Sequence, residues 1–297
     1  MPPDDLIVMD LAVVWVVLVG ATIGSFLNVV IARVPAGQSV VRPRSRCPRC
    51  GAQIAWHDNI PIVSWFALRG RCRACRGPIS FRYPLVEAAV AAAAVVAFLH
   101  HGLTAAALGE LVMVALLVAL ALIDLDTWQL PHALTVPLIA MGLALAAMRR
   151  GPAPGLGSAA LGAAVGFAAF GMIWFVGEKV LHREAMGLGD AFLLSGIGGW
   201  MGLPALLPVV LLASIQGSVV GLVQLLLGKG QPGRPRTGEA PPEAPAMGGA
   251  SELDGEEEWV PPRHSVPFGP FLAAGALEWL YLSGWLSSAV PLLQVFR

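Results

Sequence analysis

The feature that most limits what this chain can fold into is a recurrence of apolar runs near 20 residues long, the length a helix needs to cross a bilayer. These runs place spans at roughly 6–31, 84–100, 103–123, 131–148, 156–179, 190–203, 205–228 and 268–290, the sixth of them short. Composition agrees: 56% of the 297 residues are hydrophobic and only 13% are charged, where soluble domains carry about a quarter. The first run is too long for the apolar core of a secretory signal, and the residues before and within it (Asp4, Asp5, Asp10) are acidic where a signal is basic. It is read as a retained span. Formal net charge is zero, so no global field draws nucleic acid, and no nucleic-acid partner is expected.

Two long polar segments interrupt the spans. The first, 32–83, carries Arg33, Arg42, Arg44, Arg46, Arg49, Arg69, Arg71, Arg73, Arg76 and Arg82 against a single acid, Asp58. Loops rich in arginine stay cytoplasmic, which sets the N-terminus outside and this loop inside. Alternation then puts 124–130, 180–189 and 229–267 inside. Lys179, His182 and Arg183 agree, whereas Arg149 and Arg150 fall on the outer side against the rule. The second segment, 229–267, is rich in Pro, Gly and Glu and reads as a flexible linker. The expected organisation is a first transmembrane helix over 1–31, a loop domain over 32–83, a transmembrane core over 84–228, the linker over 229–267, and a last helix with its tail over 268–297.

All four cysteines lie in the first loop, as Cys47-Pro-Arg-Cys50 and Cys72-Arg-Ala-Cys75 with 21 residues between the pairs. Two CxxC pairs at such spacing make a tetrahedral thiolate site for zinc. A cytoplasmic position disfavours disulfides. Four sulfur ligands leave no open position, so the metal is expected to be structural, a staple for a loop too short to build its own core. The expected fold class is therefore an all-α polytopic membrane protein, with about eight transmembrane helices and a small zinc-binding cytoplasmic loop domain.

Acids within or at the edge of spans are costly and are candidates for function. Glu87, Asp124, Asp126 and Asp190 qualify. The third span ends inside at Asp124 and the sixth begins inside at Asp190, so topology alone sets the two aspartates at one membrane depth. Two carboxyls about 3 Å apart share one proton. One then serves as base on a water while the other donates to a substrate carbonyl. Asp190 follows Met186-Gly187-Leu188-Gly189. Gly187 and Gly189 lack a Cβ, which lets backbone or substrate come close, and a helix start offers free N–H groups to a carboxylate. Asp190 as a plain helix cap is the bland alternative, and pairing with Asp124 favours catalysis over it. Asp126 rivals Asp124, since residues two apart on a helix face nearly opposite ways, and periodicity does not choose between them.

Read together, these motifs resemble the bacterial GxGD aspartic peptidases known as type IV prepilin peptidases, over nearly the whole chain. The resemblance rests on Gly24-Ser25-Phe26-Leu27-Asn28 and Arg33-Val34-Pro35 in the first span, both CxxC pairs with Asn59-Ile60-Pro61 and Ser64-Trp65 between them, Tyr83-Pro84-Leu85-Val86-Glu87, Asp124 ahead of Leu130-Pro131, Gly187-Leu188-Gly189-Asp190, and Pro267-Phe268-Gly269-Pro270. It implies cleavage of short basic leaders from type IV prepilins or pseudopilins at the cytoplasmic membrane face. It also implies N-methylation of the new terminus with S-adenosylmethionine, and a multi-pass location in the bacterial inner membrane, in contact with membrane lipid. It assigns catalysis to Asp124 and Asp190, choosing Asp124 over Asp126. Two positions depart from the family: Phe192 stands where lysine is usual, and His132 where a polar or acidic residue follows Leu-Pro. Asn28 and Glu87 are candidates for supporting roles, with helix packing beside Gly20 and Gly24, or pairing to loop arginines such as Arg82, as the plainer readings. Glu178, Glu184 and the 252–258 acid cluster could attract basic leaders, although a solvated linker is the favoured reading of the cluster. A proton-coupled transporter using the aspartates as a relay is the alternative from another class, and a zinc-containing membrane scaffold is a third.

Overall fold

The computed structural model of the chain describes residues 3–148, 155–182, 186–227 and 266–296. Arg149, Arg150, Arg183, Glu184 and the 252–258 acid cluster of the linker lie outside the described residues. The α-helices among the described residues are α1 (Pro3–Arg33), α2 (Val63–Ala67), α3 (Arg82–His101), α4 (Ala105–Thr127), α5 (His132–Met148), α6 (Leu156–Phe175), α7 (Leu188–Met201), α8 (Leu203–Leu226) and α9 (Gly269–Ala289). All but α2 coincide with the predicted spans, and the fold class is the all-helical one expected. Among the described residues five segments, Met9–Arg33, Arg82–His101, Ala105–Thr127, Leu156–Val180 and Leu203–Leu226, are long and apolar enough to cross a membrane. α5, with 17 residues, and α7, with 14, fall short of a full crossing at 1.5 Å rise per residue.

Local chemistry sets the ends of these helices. The Thr104 hydroxyl accepts the Ala107 N–H (3.4 Å) to cap α4. α4 stops where Trp128 turns left-handed (φ 57°) and returns its N–H to the Asp124 carbonyl. Gly202, at φ 80°, both ends α7 and opens α8.

Two apolar cores share α4 as a wall. One face of α4, with Leu111, Val114, Ala115, Ala119 and Ile123, packs on α1 and α3. Another, with Met113, Leu117 and Leu120, joins α5 to α9. α1 approaches α3 through the Gly20 and Gly24 face anticipated from the sequence: a Cβ at Gly24 would lie 2.7 Å from the Glu87 Cα. α6 and α7 are in backbone contact, since a Cβ at Gly166 would lie 2.8 Å from the Leu194 carbonyl oxygen. This tight pair holds α7, and Asp190 with it, in a fixed place.

Candidate active site and metal centre

One end of the bundle gathers the end of α4 and the starts of α3, α7 and α9. Asp124, in the last turn of α4, and Asp190, in the first turn of α7, are both buried there, at 5% and 8% exposure. Leu130 lies between them: a Cβ at Gly189, next to Asp190, would meet it at 2.8 Å, and a Cβ at Gly269, whose N–H Asp124 holds, would meet it at 3.4 Å. The convergence inferred from topology is thus the arrangement found. Asp190 is not the helix cap: Gly187 holds that position, and its carbonyl accepts the Asp190 N–H at 3.2 Å. The aspartate therefore sits inside the first turn, with its carboxyl committed to no capping bond.

Asp124 Oδ2 accepts the Gly269 N–H, at the start of α9, at 3.1 Å. A Cβ at Gly269 would sit 2.6 Å from that same oxygen. Gly269 is a site residue that the sequence reading gave only as part of a motif opening the last span. The available signal was its place at a helix start directly before a proline. Leu130 is a second residue missed. It wedges between two glycines, and a Cβ would meet it at 2.8 Å from Gly189 and at 3.4 Å from Gly269.

Asp124 and Asp126 have different surroundings. Asp126 faces the other way and takes both oxygens to Arg82 Nη1, at 2.7 and 2.8 Å, while Arg82 Nη2 donates to the Leu122 carbonyl. Arg82 is therefore not the partner of Glu87. Buried Glu87 instead accepts the Ile62 N–H at 2.6 Å, tying the loop to α3 where Ile62 adopts φ 63°. Asn28 donates to the Tyr83 carbonyl at 3.2 Å, a helix-to-helix bond of the kind anticipated. The two departures from the family pattern touch each other: the Phe192 ring lies 4.6 Å from His132 and 5.1 Å from Phe167, both edge-to-face.

Beside this end sits the cysteine loop, built from two like turns. In the first, Cys47 N–H bonds the Ala52 carbonyl, Gly51 N–H the Cys47 carbonyl and Ile54 N–H the Ser45 carbonyl. In the second, Cys72, Arg76 and Ile79 repeat these bonds to Gly77, Cys72 and Gly70. Each turn needs a left-handed residue after its second cysteine, and Gly51 (φ 70°) and Arg76 (φ 58°) supply it. The four Sγ atoms lie within 4.8 Å of one another, with Cys47 and Cys75 3.9 Å apart. Ligands at about 2.3 Å from a tetrahedral zinc stand about 3.8 Å apart, so the thiols fit a metal ion. The N–H groups of Cys50 and Arg49 draw the Cys47 thiol down to about 6, toward the thiolate a metal requires. Asp58 closes the loop by accepting Arg73 Nε and Nη2 at 2.7 and 2.6 Å, which holds its carboxyl below the ordinary carboxylate range.

A bundle of apolar helices with a buried carboxyl pair at one end, and a four-cysteine loop against that end, defines a multi-pass membrane protein built around a buried acid pair. The bacterial peptidase A24 N-terminal domain model matches residues 18–101, and that of the type IV leader peptidase family matches residues 111–222. A prepilin leader peptidase/N-methyltransferase of Myxococcus xanthus is 46% identical over 94% of this chain and 92% of its own. Proteins of the same name from Burkholderia pseudomallei and Pseudomonas aeruginosa are 34% and 32% identical, over 90% and 93% of this chain and 84% and 89% of theirs. No solved structure matches. The chain belongs to the type IV leader peptidase family.

Proposed function

We propose that the protein is an intramembrane aspartic endopeptidase. It cuts basic leaders from type IV prepilins or pseudopilins at the cytoplasmic face of the bacterial inner membrane, and it N-methylates the new terminus. The observation that carries this reading is the convergence of two buried carboxyls, Asp124 and Asp190, on either side of Leu130 from helices far apart in sequence. The name borne by relatives that align over nine-tenths of the chain supports the substrate class. Nothing favours the transporter reading: the acid pair lies at the helix ends and not at mid-depth.

In the proposed mechanism Asp124, oriented by the Gly269 N–H, takes a proton from the attacking water. Asp190 gives its proton to the scissile carbonyl oxygen as the water oxygen bonds the carbonyl carbon. The diol then collapses, the C–N bond breaks, a proton passes to the leaving amine, and the pair is left sharing one proton. Gly189 lets Leu130 press against the first turn of α7, and Gly187 caps that turn ahead of Asp190. Cys47, Cys50, Cys72 and Cys75 would hold structural zinc, which would fix the loop that Glu87 docks on α3.

S-adenosylmethionine supplies the methyl group in N-methylation. Asp58 is engaged by Arg73 and Glu87 by the Ile62 N–H. Asp58 thus already carries a cation and is not offered to the sulfonium group. The decisive experiment uses purified Asp124→Asn and Asp190→Asn variants on a prepilin. Both are expected to insert and fold yet leave the leader uncut; normal processing by either would overturn the reading.

A further inference from the structure

The far end of the bundle holds a second cluster of ligand-type side chains that the proposed activity does not use. His100 and His101 form the last turn of α3, and Glu110 faces them from the second turn of α4. His101 Nε2 lies 2.8 Å from Glu110 Oε2, and His100 Nδ1 lies 3.7 Å from Oε1. One ligand atom from each residue falls within 4.8 Å of the others. Glu110 is 7% exposed, while the two histidine side chains are half and two-fifths exposed. An ion would therefore reach the carboxylate past the imidazoles.

The carboxylate is incompletely satisfied. Glu110 Oε1 is buried without a hydrogen bond of good geometry, and so is the Tyr281 hydroxyl beside it, whose ring lies 6.1 Å from that of His100. Buried charges are costly unless paired or bound to a metal, and a carboxylate has lone pairs for more than one partner. A neutral imidazole can donate to one oxygen only by turning the other ring nitrogen away. A cation between the three groups would use the idle oxygen and a lone pair from each ring at once.

We propose that His100, His101 and Glu110 form a second metal site, for a divalent transition-metal ion held by two imidazoles and one carboxylate. Two nitrogen donors select the zinc class of ions over calcium or magnesium, and three protein ligands leave a position for water. The site is separate from the cysteine centre. Glu110 and Asp124 are about 21 Å apart along α4 at 1.5 Å per residue, and the cysteine loop lies at the Asp124 end. Its effect is to clip the α3–α4 turn at the end of the bundle remote from the acid pair.

The test titrates Co²⁺ alone into the full-length protein in detergent, purified with its cysteine centre loaded with zinc. One further Co²⁺ per chain is expected, with the weak visible bands of a nitrogen–oxygen site and without the intense near-ultraviolet absorption of cobalt–thiolate bonds. The exposed-residue double variant His100→Asn/His101→Asn should weaken this binding at least tenfold without loss of fold, and Glu110→Gln should do the same. Two results would overturn the proposal: no cobalt taken up beyond the cysteine centre, or equal uptake by the double variant. A Glu110→Gln variant that melts earlier but binds cobalt as before would reduce the cluster to a hydrogen-bonded clamp between helices, and would overturn it too.

Discussion

The two glycines ahead of Asp190 are not equivalent, and substituting each by alanine separates their roles. A Cβ at Gly189 would meet the Leu130 Cβ at 2.8 Å, whereas a Cβ at Gly187 would meet only the Asp190 Oδ2, at 3.8 Å. Carbon pairs rest at about 3.5–4.0 Å, so Gly189→Ala needs a displacement of roughly 1 Å between α7 and the α4–α5 connection. Overpacking of this kind costs about 1–3 kcal/mol, and the higher helix propensity of alanine returns up to about 1 kcal/mol. The net loss of stability is thus modest. Activity should suffer more, because α6 backs α7 and the strain is taken up at the start of α7, where Asp190 sits. A misplacement of about 1 Å in a catalytic group lowers a rate by about 100-fold. Gly187 has φ −71° and ψ 137°, which alanine adopts freely. Its substitution costs at most about 1 kcal/mol as a weaker cap. The assay is the initial rate of leader removal from a prepilin by each purified variant, beside its melting temperature. Gly189→Ala should cleave about 100-fold more slowly while still folding, and Gly187→Ala should stay within a few-fold of the parent. Equal rates for the two variants would refute the wedge role of Leu130.

Three further outcomes follow from the site. Asp126→Asn removes only the half-exposed pair with Arg82, worth under about 1 kcal/mol, so cleavage should continue where Asp124→Asn abolishes it; loss of cleavage in Asp126→Asn would reopen the choice between them. Arg73 depresses the Asp58 carboxyl in the folded loop, so this pair contributes stability above the unfolded aspartate value of about 3.9 and loses it as pH falls through the lower folded value. The gap in loop stability between parent and Asp58→Asn, read by amide exchange, should hold steady from about pH 5 to 7 and close below about pH 4; a gap that persists in acid would count against the linkage. Phe192→Lys should slow cleavage by setting an ammonium against the His132 and Phe167 rings, and adding His132→Glu should restore much of the rate, whereas additive losses would mean that the two positions do not form a unit.

The helices were legible because their signal is local. Apolar runs of bilayer length predicted the element bounds to within a few residues for most spans. The acid pair was legible one level higher, since alternation of spans alone set the end of α4 and the start of α7 at one depth. The cysteine centre was legible from spacing, and its repeated turn geometry explains why: each CxxC needs only one left-handed residue after it to aim both thiols the same way. What could not be read was the direction a side chain takes at a helix end. Asp124 and Asp126 are equal as letters; the pairing of Arg82 with Asp126 separates them, and that depends on how α3 leans on α4.

The same reasoning explains why Gly269 and Leu130 escaped notice. Neither carries chemistry in its side chain, and each matters through distances to residues far away in the chain. Leu130 can press on Gly189 only because α6 holds α7 close. Gly269 can donate to Asp124 only because α9 begins at the depth where α4 ends. A 2.6 Å approach between the Gly269 Cβ position and the Asp124 carboxyl means that any larger residue there would displace an oxygen of the acid pair. The glycines on either side of Leu130 are therefore requirements of the site, which places the acid pair in a setting of fixed backbone and not of adjustable side chains. That setting suits an enzyme whose two acids must keep a shared proton in one geometry through a catalytic cycle.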